Sequence, residues 1–206
     1  MATITPSWTQ NNNTVALATL SRNSVSRTEL DLRSKWGAWL HPRIGRGGTN
    51  AMTNGINVLV RRLLDQAGGK KHPAVAAAGF LSQSAAAVST TCAASGNNAG
   101  VTSLTVASTT SFAVGDLICV QDGSLAATEW CRVARITSST VLLLDAPTEY
   151  AHNDITHTVR NKADAWSLWV DGGAYVEIIF DYGDDAAGDA VTIECRAQTL
   201  DSYTSA

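Results

Sequence analysis

The stretch GAYVEIIFDYGDDAAGDAVTIECRAQT, Gly173 to Thr199, reads as two β-rich runs joined by an acidic turn, Asp184-Asp185-Ala186-Ala187-Gly188. Two strands alone make a marginal hairpin, because one pair cannot cover its own apolar face. The N-terminal portion poses the complementary problem. NTVALATL (Asn13 to Leu20), SVSRTELDL (Ser24 to Leu32), KWGAWLHPRI (Lys35 to Ile44) and INVLVRRL (Ile56 to Leu63) are short β-rich runs separated by polar or glycine-rich breaks. Four strands make a poor sandwich, but joining residues 10–70 to 165–200 gives six, enough for one. Arg61-Arg62 excludes a strand buried on both faces along its whole length, so one side of that sheet should be wet there.

Between the two halves lies a compact set of β signals: VTSLTVAS (Val101 to Ser108), GDLICVQDG (Gly115 to Gly123), ATEWCRVARI (Ala127 to Ile136), STVLLLDAP (Ser139 to Pro147) and a closing HTVRNK (His157 to Lys162). Short strands joined by Ser/Thr/Gly/Asp turns suit a small barrel. Ahead of them, His72 to Gly100 is a low-complexity Ala/Ser mixture, read as a linker with either a short helix after Pro73 or an extended arm. The expected fold is therefore all-β: a β-sandwich with an inserted small SH3/OB-like β-barrel. Residues 1–85 and 163–206 would form the discontinuous sandwich with an N-terminal arm, and residues 86–162 the barrel. Two consecutive domains are the alternative.

Composition agrees, with 45% hydrophobic and only 16% charged residues. No apolar run approaches the length of a membrane span, and MATITPSWTQNNNT lacks the basic-then-apolar pattern of a signal peptide, so cytoplasmic synthesis and assembly are expected. Cys92, Cys119, Cys131 and Cys195 include no C-x-x-C pair. A Cys119–Cys131 disulfide is conceivable across a hairpin centred near Leu125, whereas a reducing compartment favours small buried thiols. Charge is split. Residues 1–85 carry ten Lys/Arg against three Asp/Glu, +7, and residues 86–206 five against fifteen, −10. Either the two parts neutralise each other, or a basic and an acidic face dock onto different neighbours. The basic residues are not interleaved with stacking aromatics, so nucleic acid is not an expected partner.

The run RIGRGGTNAMTNG, Arg43 to Gly55, is rich in glycine, yet Asn50 stands where a dinucleotide fingerprint wants its third glycine, and no Gly-Lys-Ser/Thr follows. Turn chemistry accounts for it, since Asn-Gly and Gly-Gly tolerate positive φ. No nucleophile elbow or His-Glu-x-x-His occurs. Two metal candidates are His152-Asn-Asp154-Ile-Thr-His157, which lacks a nominated fourth ligand, and the carboxylates Asp181, Asp184, Asp185 and Asp189, which lack the calcium-hand pattern. A polar connection and a solvated turn explain them, so no catalytic, cofactor or metal residue is nominated. Trp8, Trp36, Trp39, Trp130, Trp166 and Trp169 suit packing or subunit interfaces, with a sugar platform of Trp166, Trp169 and Tyr175 as the alternative.

Several of these stretches, taken together, resemble a known family. TSLTVASTTSFAVGDLICV, then EWCRVARI, VLLLDAPTEYAH and TVRNK, are similar to a small β module of tailed-bacteriophage structural proteins: a strand, a Phe-x-x-Gly-Asp turn, a Glu-containing hairpin, a Leu-rich strand and a closing Ala-His. The flanks LDLRSKWGAWLHPRIGRGGTNAMTNGINVLVRR and GGAYVEIIFDYGDDAAGDAVTIECRAQT resemble phage virion proteins of the same kind. The resemblance implies a virion structural protein, assembled in a host bacterial cytoplasm, and no enzyme. The leading expectation is a capsid decoration (cement) protein, a homo-oligomer with a trimer favoured, bound to the major capsid protein or other virion proteins. A tail, neck or baseplate component and a host-glycan-binding module are the alternatives. Arg43, Arg46, Arg61, Arg62, Trp8, Trp36, Trp166 and Trp169 are the interface candidates, with Arg43 and Arg46 expected to form salt bridges with an acidic neighbouring subunit.

Overall fold

A computed structural model describes residues 4–63, 75–80, 86–183 and 189–205. The described chain is all-β, and no described helix is long and apolar enough to cross a membrane. Its sandwich halves are built from strands far apart in sequence. One sheet runs β1 (Ile4–Leu20), β15 (Val191–Ser205), β3 (Gly37–Arg46), β12 (Asp164–Ala165), with β13 (Leu168–Asp171) also on β3. The facing sheet runs β2 (Ser24–Asp31), β14 (Tyr175–Tyr182), β4 (Ile56–Leu63), β5 (Val75–Phe80).

The two C-terminal runs therefore form no hairpin with each other. Strand β14 lies between β2 and β4, and β15 lies between β1 and β3, each antiparallel to both neighbours. The chain crosses from one sheet to the other between them, and again between β3 and β4. Alternation sends Val176, Ile178, Phe180 and Tyr182 inward against Ala38, Leu40, Ile44, Ile193, Cys195 and Ala197, which together form one hydrophobic core.

Several local expectations change. The N-terminal arm is strand β1, paired with β15 from Ile4↔Ser205 to Leu20↔Val191. Asp201 accepts from Thr9 and Thr199 and pairs with Lys35 at 2.7 Å, and these donors, Lys35 first, hold its carboxyl down at about 2. In the Ala/Ser-rich linker, Val75–Phe80 is a strand on the edge of the second sheet, and residues 72–74 and 81–85 lie outside the described residues. In the glycine-rich loop only Gly55 has positive φ, at 65°; Gly47 and Gly48 instead leave room for Ala190 and Asp189.

The barrel strands are β6 (Ser89–Thr91), β7 (Ser103–Thr105), β8 (Leu117–Gln121), β9 (Glu129–Ser138), β10 (Val141–Leu144) and β11 (Thr158–Arg160), in the order β6-β11-β8-β9-β10-β7. A Cys92↔Val106 bridge, with Ala93 N to Thr105 O and Ala107 N to Thr91 O at 2.9 Å, closes β7 back onto β6. Leu104, Phe112, Ile118, Val120, Val133, Leu142 and Val159 fill the interior.

The barrel docks on the outer face of the first sheet. A Cβ at Gly45 would meet Cys119 Sγ at 2.5 Å, and Trp130 lies just beyond. Gln121 Nε2 donates to Thr192 Oγ1 at 2.9 Å, and Arg196 pairs with Glu149 at 3.7 Å. Gly45→Val should therefore push the barrel off its seat and cost about 2 kcal/mol. Urea denaturation measures it, and Cys119→Ala in the same chain should return part of the loss.

Candidate functional site

Strand β3 divides its side chains by alternation, and its outer row carries most of the candidate site. Trp39, His41 and Arg43 point outward, while Ala38, Leu40, Ile44 and Arg46 point into the sandwich. Trp39 pairs with Trp169 of β13 on one side and Gln198 of β15 on the other, and Gln198 pairs in turn with Gln10 of β1. This row places residues from four strands side by side.

At one end the face is aromatic. Trp169 meets Trp39 edge to face, with centroids 5.6 Å apart, and Trp8 likewise at 6.3 Å. The contact depends on Gly37, because the Trp169 ring occupies the space a Cβ there would fill. Trp169 Nε1 donates to Asp171 Oδ1 at 2.9 Å, which fixes the ring. Leu200, on the outward side of the register and the direct partner of Trp8, is buried. Trp8, Trp36, Trp39, Trp166 and Trp169 are 38–63% exposed, so five of the six tryptophans face water. Sequence reasoning missed Trp39 as a member, although its alternation with His41 and Arg43 was readable.

Beyond the rings lies a polar hollow of about 220 Å³ lined by Gln10, His41, Arg43, Arg196 and Gln198. A neighbouring hollow of about 180 Å³ adds Trp166 and Ser167 beside His41. His41 Nδ1 lies 2.9 Å from Ser167 Oγ. Burial, then the Arg43 cation, lowers the His41 imidazole below its ordinary value.

The arginine candidates separate. Arg43 pairs with Glu194 at 3.7 Å and lies 5.8 Å from the Trp130 ring centre, at the barrel junction. Arg61 and Arg27 both hold the buried Glu177, and Arg62 donates to Gly172 O at 2.6 Å. Arg46 is fully buried on the inner row of β3 and donates to Asn50 O. It cannot present its charge to a neighbouring subunit, which corrects the sequence expectation. The basic-face and acidic-face alternative is corrected too. Arg27, Arg61, Lys35 and Arg43 of the basic half pair with Glu177, Asp201 and Glu194 of the acidic half.

The sugar platform of Trp166, Trp169 and Tyr175 is not assembled, since Tyr175 is buried on the other sheet beneath the Arg33 guanidinium. Among the described residues no three His, Cys, Asp or Glu side chains gather as a metal cage. Asp184 and Asp185 lie outside the described residues, and both oxygens of Asp189 accept from Asn50 at 3.0 Å. Asp154 turns away to cap Thr156 N.

His152 and His157 do meet, Nδ1 to Nδ1 at 3.1 Å, but as part of a buried network. His152 Nε2 lies 2.6 Å from Glu129 Oε1, whose partner oxygen accepts from Glu149 N at 2.8 Å. The motif glutamate and the closing histidine are thus bonded to each other across the barrel. Asp116 of the Phe-x-x-Gly-Asp turn likewise accepts from Ala113 N and Asn161 Nδ2, each at 3.0 Å.

The four cysteines are free and buried. Ile118 pairs with Cys131 and Cys119 with Trp130, so Cys131 faces the barrel interior while Cys119 faces Gly45, and the two thiols lie on opposite sides of the wall. Burial pushes Cys92, Cys119 and Cys195 up to about 12 and Cys131 in the same direction. Unfolded thiols ionise near pH 8.5. Between about pH 9 and 12 the unfolded chain therefore holds fewer protons than the native one, and stability should fall as pH rises through that window. Denaturation midpoints across it check the sign. Glu129→Ala, which strands His152, should cost about 2–4 kcal/mol and loosen the barrel selectively, read by hydrogen exchange.

No protein-family model matches the chain, and no curated protein does. Among solved structures it is similar to VP17, a capsid protein of bacteriophage P23-77, over 97% of this chain and 99% of that one, with a TM-score of 0.23 and 7% identity. A likeness of that size carries no functional inference.

Proposed function

We propose that this chain is a phage virion structural protein, and in particular a capsid decoration protein that binds the outer capsid surface and stabilises capsomer contacts. The observation that carries the reading is the tryptophan face. Three large apolar rings, Trp8, Trp39 and Trp169, stand in water together on one sheet, where a rigid aromatic surface with N–H donors suits a protein partner. The resemblance of the inserted barrel to a tailed-phage module supports a virion role. The bonding of its Glu129 and His152 to each other supports a scaffold role for that module rather than chemistry.

On this reading the rings of Trp8, Trp39 and Trp169 bury against the major capsid protein, and the homo-oligomer, with a trimer favoured, repeats the contact around a capsid symmetry axis. The function is mechanical and requires neither cofactor nor catalysis.

Quantitative mass spectrometry of the virion is the test, with this chain counted against the major capsid protein. Hundreds of copies are expected, and a Trp39→Ala/Trp169→Ala variant should attach to purified capsids at least about tenfold more weakly while keeping its native fold. A few copies per particle would move the protein to the neck or tail. Complete absence from the particle, or unchanged attachment of the variant, would overturn the reading.

A further inference from the structure

A second site lies between the barrel and the sandwich and shares no side chain with the tryptophan face. A cleft of about 500 Å³ opens there, lined by Thr19 and Thr192 of the sandwich and by Gln121, Ser124, Thr156, Thr158 and Arg160 of the barrel. Cavities that hold small ligands run from about 300 to 1,000 Å³ and favour domain junctions. The lining is dominated by hydroxyl and amide groups, which both donate and accept.

Arg160 is the anomaly in that wall. Of the other strand arginines on buried ground, Arg43, Arg61 and Arg196 each hold a carboxylate within 4 Å, and Arg46 donates to Asn50 O. Arg160 holds none among the described residues. Its Nη1 donates to Thr158 Oγ1 at 2.8 Å and reaches Gln121 Oε1 at 3.5 Å, while its enclosed Nε has no acceptor. Burial depresses its guanidinium from the ordinary value, as expected of a cation without a counter-ion. Asp189 acts on it only through space, with both oxygens spent on Asn50.

One carboxylate also lines the cleft and limits what can enter. Asp122 spends its oxygens inside its own loop, on Ala127 N at 3.2 Å and on Ser124 Oγ, but its charge repels a second negative group. The same loop holds Leu125 at φ 67°, a conformation that a branched side chain adopts only under constraint. One uncompensated cation, one spent anion and a ring of hydroxyls suit a ligand with a single negative charge and several hydroxyls.

We propose that the cleft walled by Arg160, Gln121, Thr158 and Thr192 binds a hydroxylated monocarboxylate, an acidic sugar unit of the hexuronate class. The carboxylate neutralises Arg160, and the sugar hydroxyls exchange hydrogen bonds with the threonine and serine walls. The inference does not depend on the virion reading, because the cleft and the tryptophan face occupy different parts of the molecule.

Isothermal titration of the full chain with glucuronate, glucose, acetate and inorganic phosphate tests it. Glucuronate should bind saturably, with glucose and acetate each at least about tenfold weaker, since each lacks half of the recognised chemistry. Arg160→Gln should weaken glucuronate about tenfold and Arg160→Lys should keep part of the binding. Thr156→Val, at an exposed wall position, provides a second variant if the arginine changes disturb the barrel, and should weaken glucuronate without altering acetate. A uronide disaccharide identifies the source: tighter binding than the monomer points to a polysaccharide and equal binding to a free acid, and both support the site. No saturable glucuronate binding, acetate or phosphate binding as tightly as glucuronate, or unchanged affinity in Arg160→Gln together with Thr156→Val would overturn it.

Discussion

Neither sheet of the sandwich is complete until its last two strands are in place. Strands β14 and β15 occupy interior positions in opposite sheets, so each satisfies two rows of backbone hydrogen bonds and supplies one inner row of the core. The whole inserted barrel must be bridged before either can dock. Loop-closure entropy therefore precedes most of the sandwich's stabilising contacts, a topology that favours slow folding. The same constraint explains the uneven charge along the chain. Glu177, Glu194 and Asp201 lie on or beside these late strands, and their partners Arg27, Arg61, Arg43 and Lys35 come from the early ones. A chain that looks polarised in sequence is interleaved in space.

One strand, β3, distributes the rest of the architecture. Its inner row builds the core and buries Arg46, and its outer row passes from the tryptophans through a polar hollow to the bare Gly45 on which the barrel sits. The close approach at Gly45 and the ring contact at Gly37 need glycine for space rather than for positive φ. A sequence reading that weighs glycine by turn chemistry alone passes over both.

The candidate site was partly legible. Trp8, Trp36, Trp166 and Trp169 stand out by residue type, and the structure leaves all four exposed. Trp39 joins them only through the pairing of β3 with β13, and Tyr175 leaves the set because its strand belongs to the other sheet. Histidine spacing suggested a metal, whereas the partner that matters for His152 is Glu129, from a different strand of the barrel. Arg160 carried no signal at all, since nothing local distinguishes an arginine with a counter-ion from one without.

The sequence by itself determined the all-β class, most of the strands, though not Val75–Phe80 or Leu168–Asp171, and the turn at Asn54-Gly55. Alternation and turn chemistry are local, set by backbone sterics within a few residues. Only the tertiary structure decided that the two C-terminal strands part company, that Arg46 is buried, that Cys119 and Cys131 lie on opposite sides of the barrel wall, and that Trp8, Trp39 and Trp169 share one face. Those facts depend on register and pairing between strands up to about two hundred positions apart, and pairing is set by which faces can be buried together rather than by any neighbouring residue.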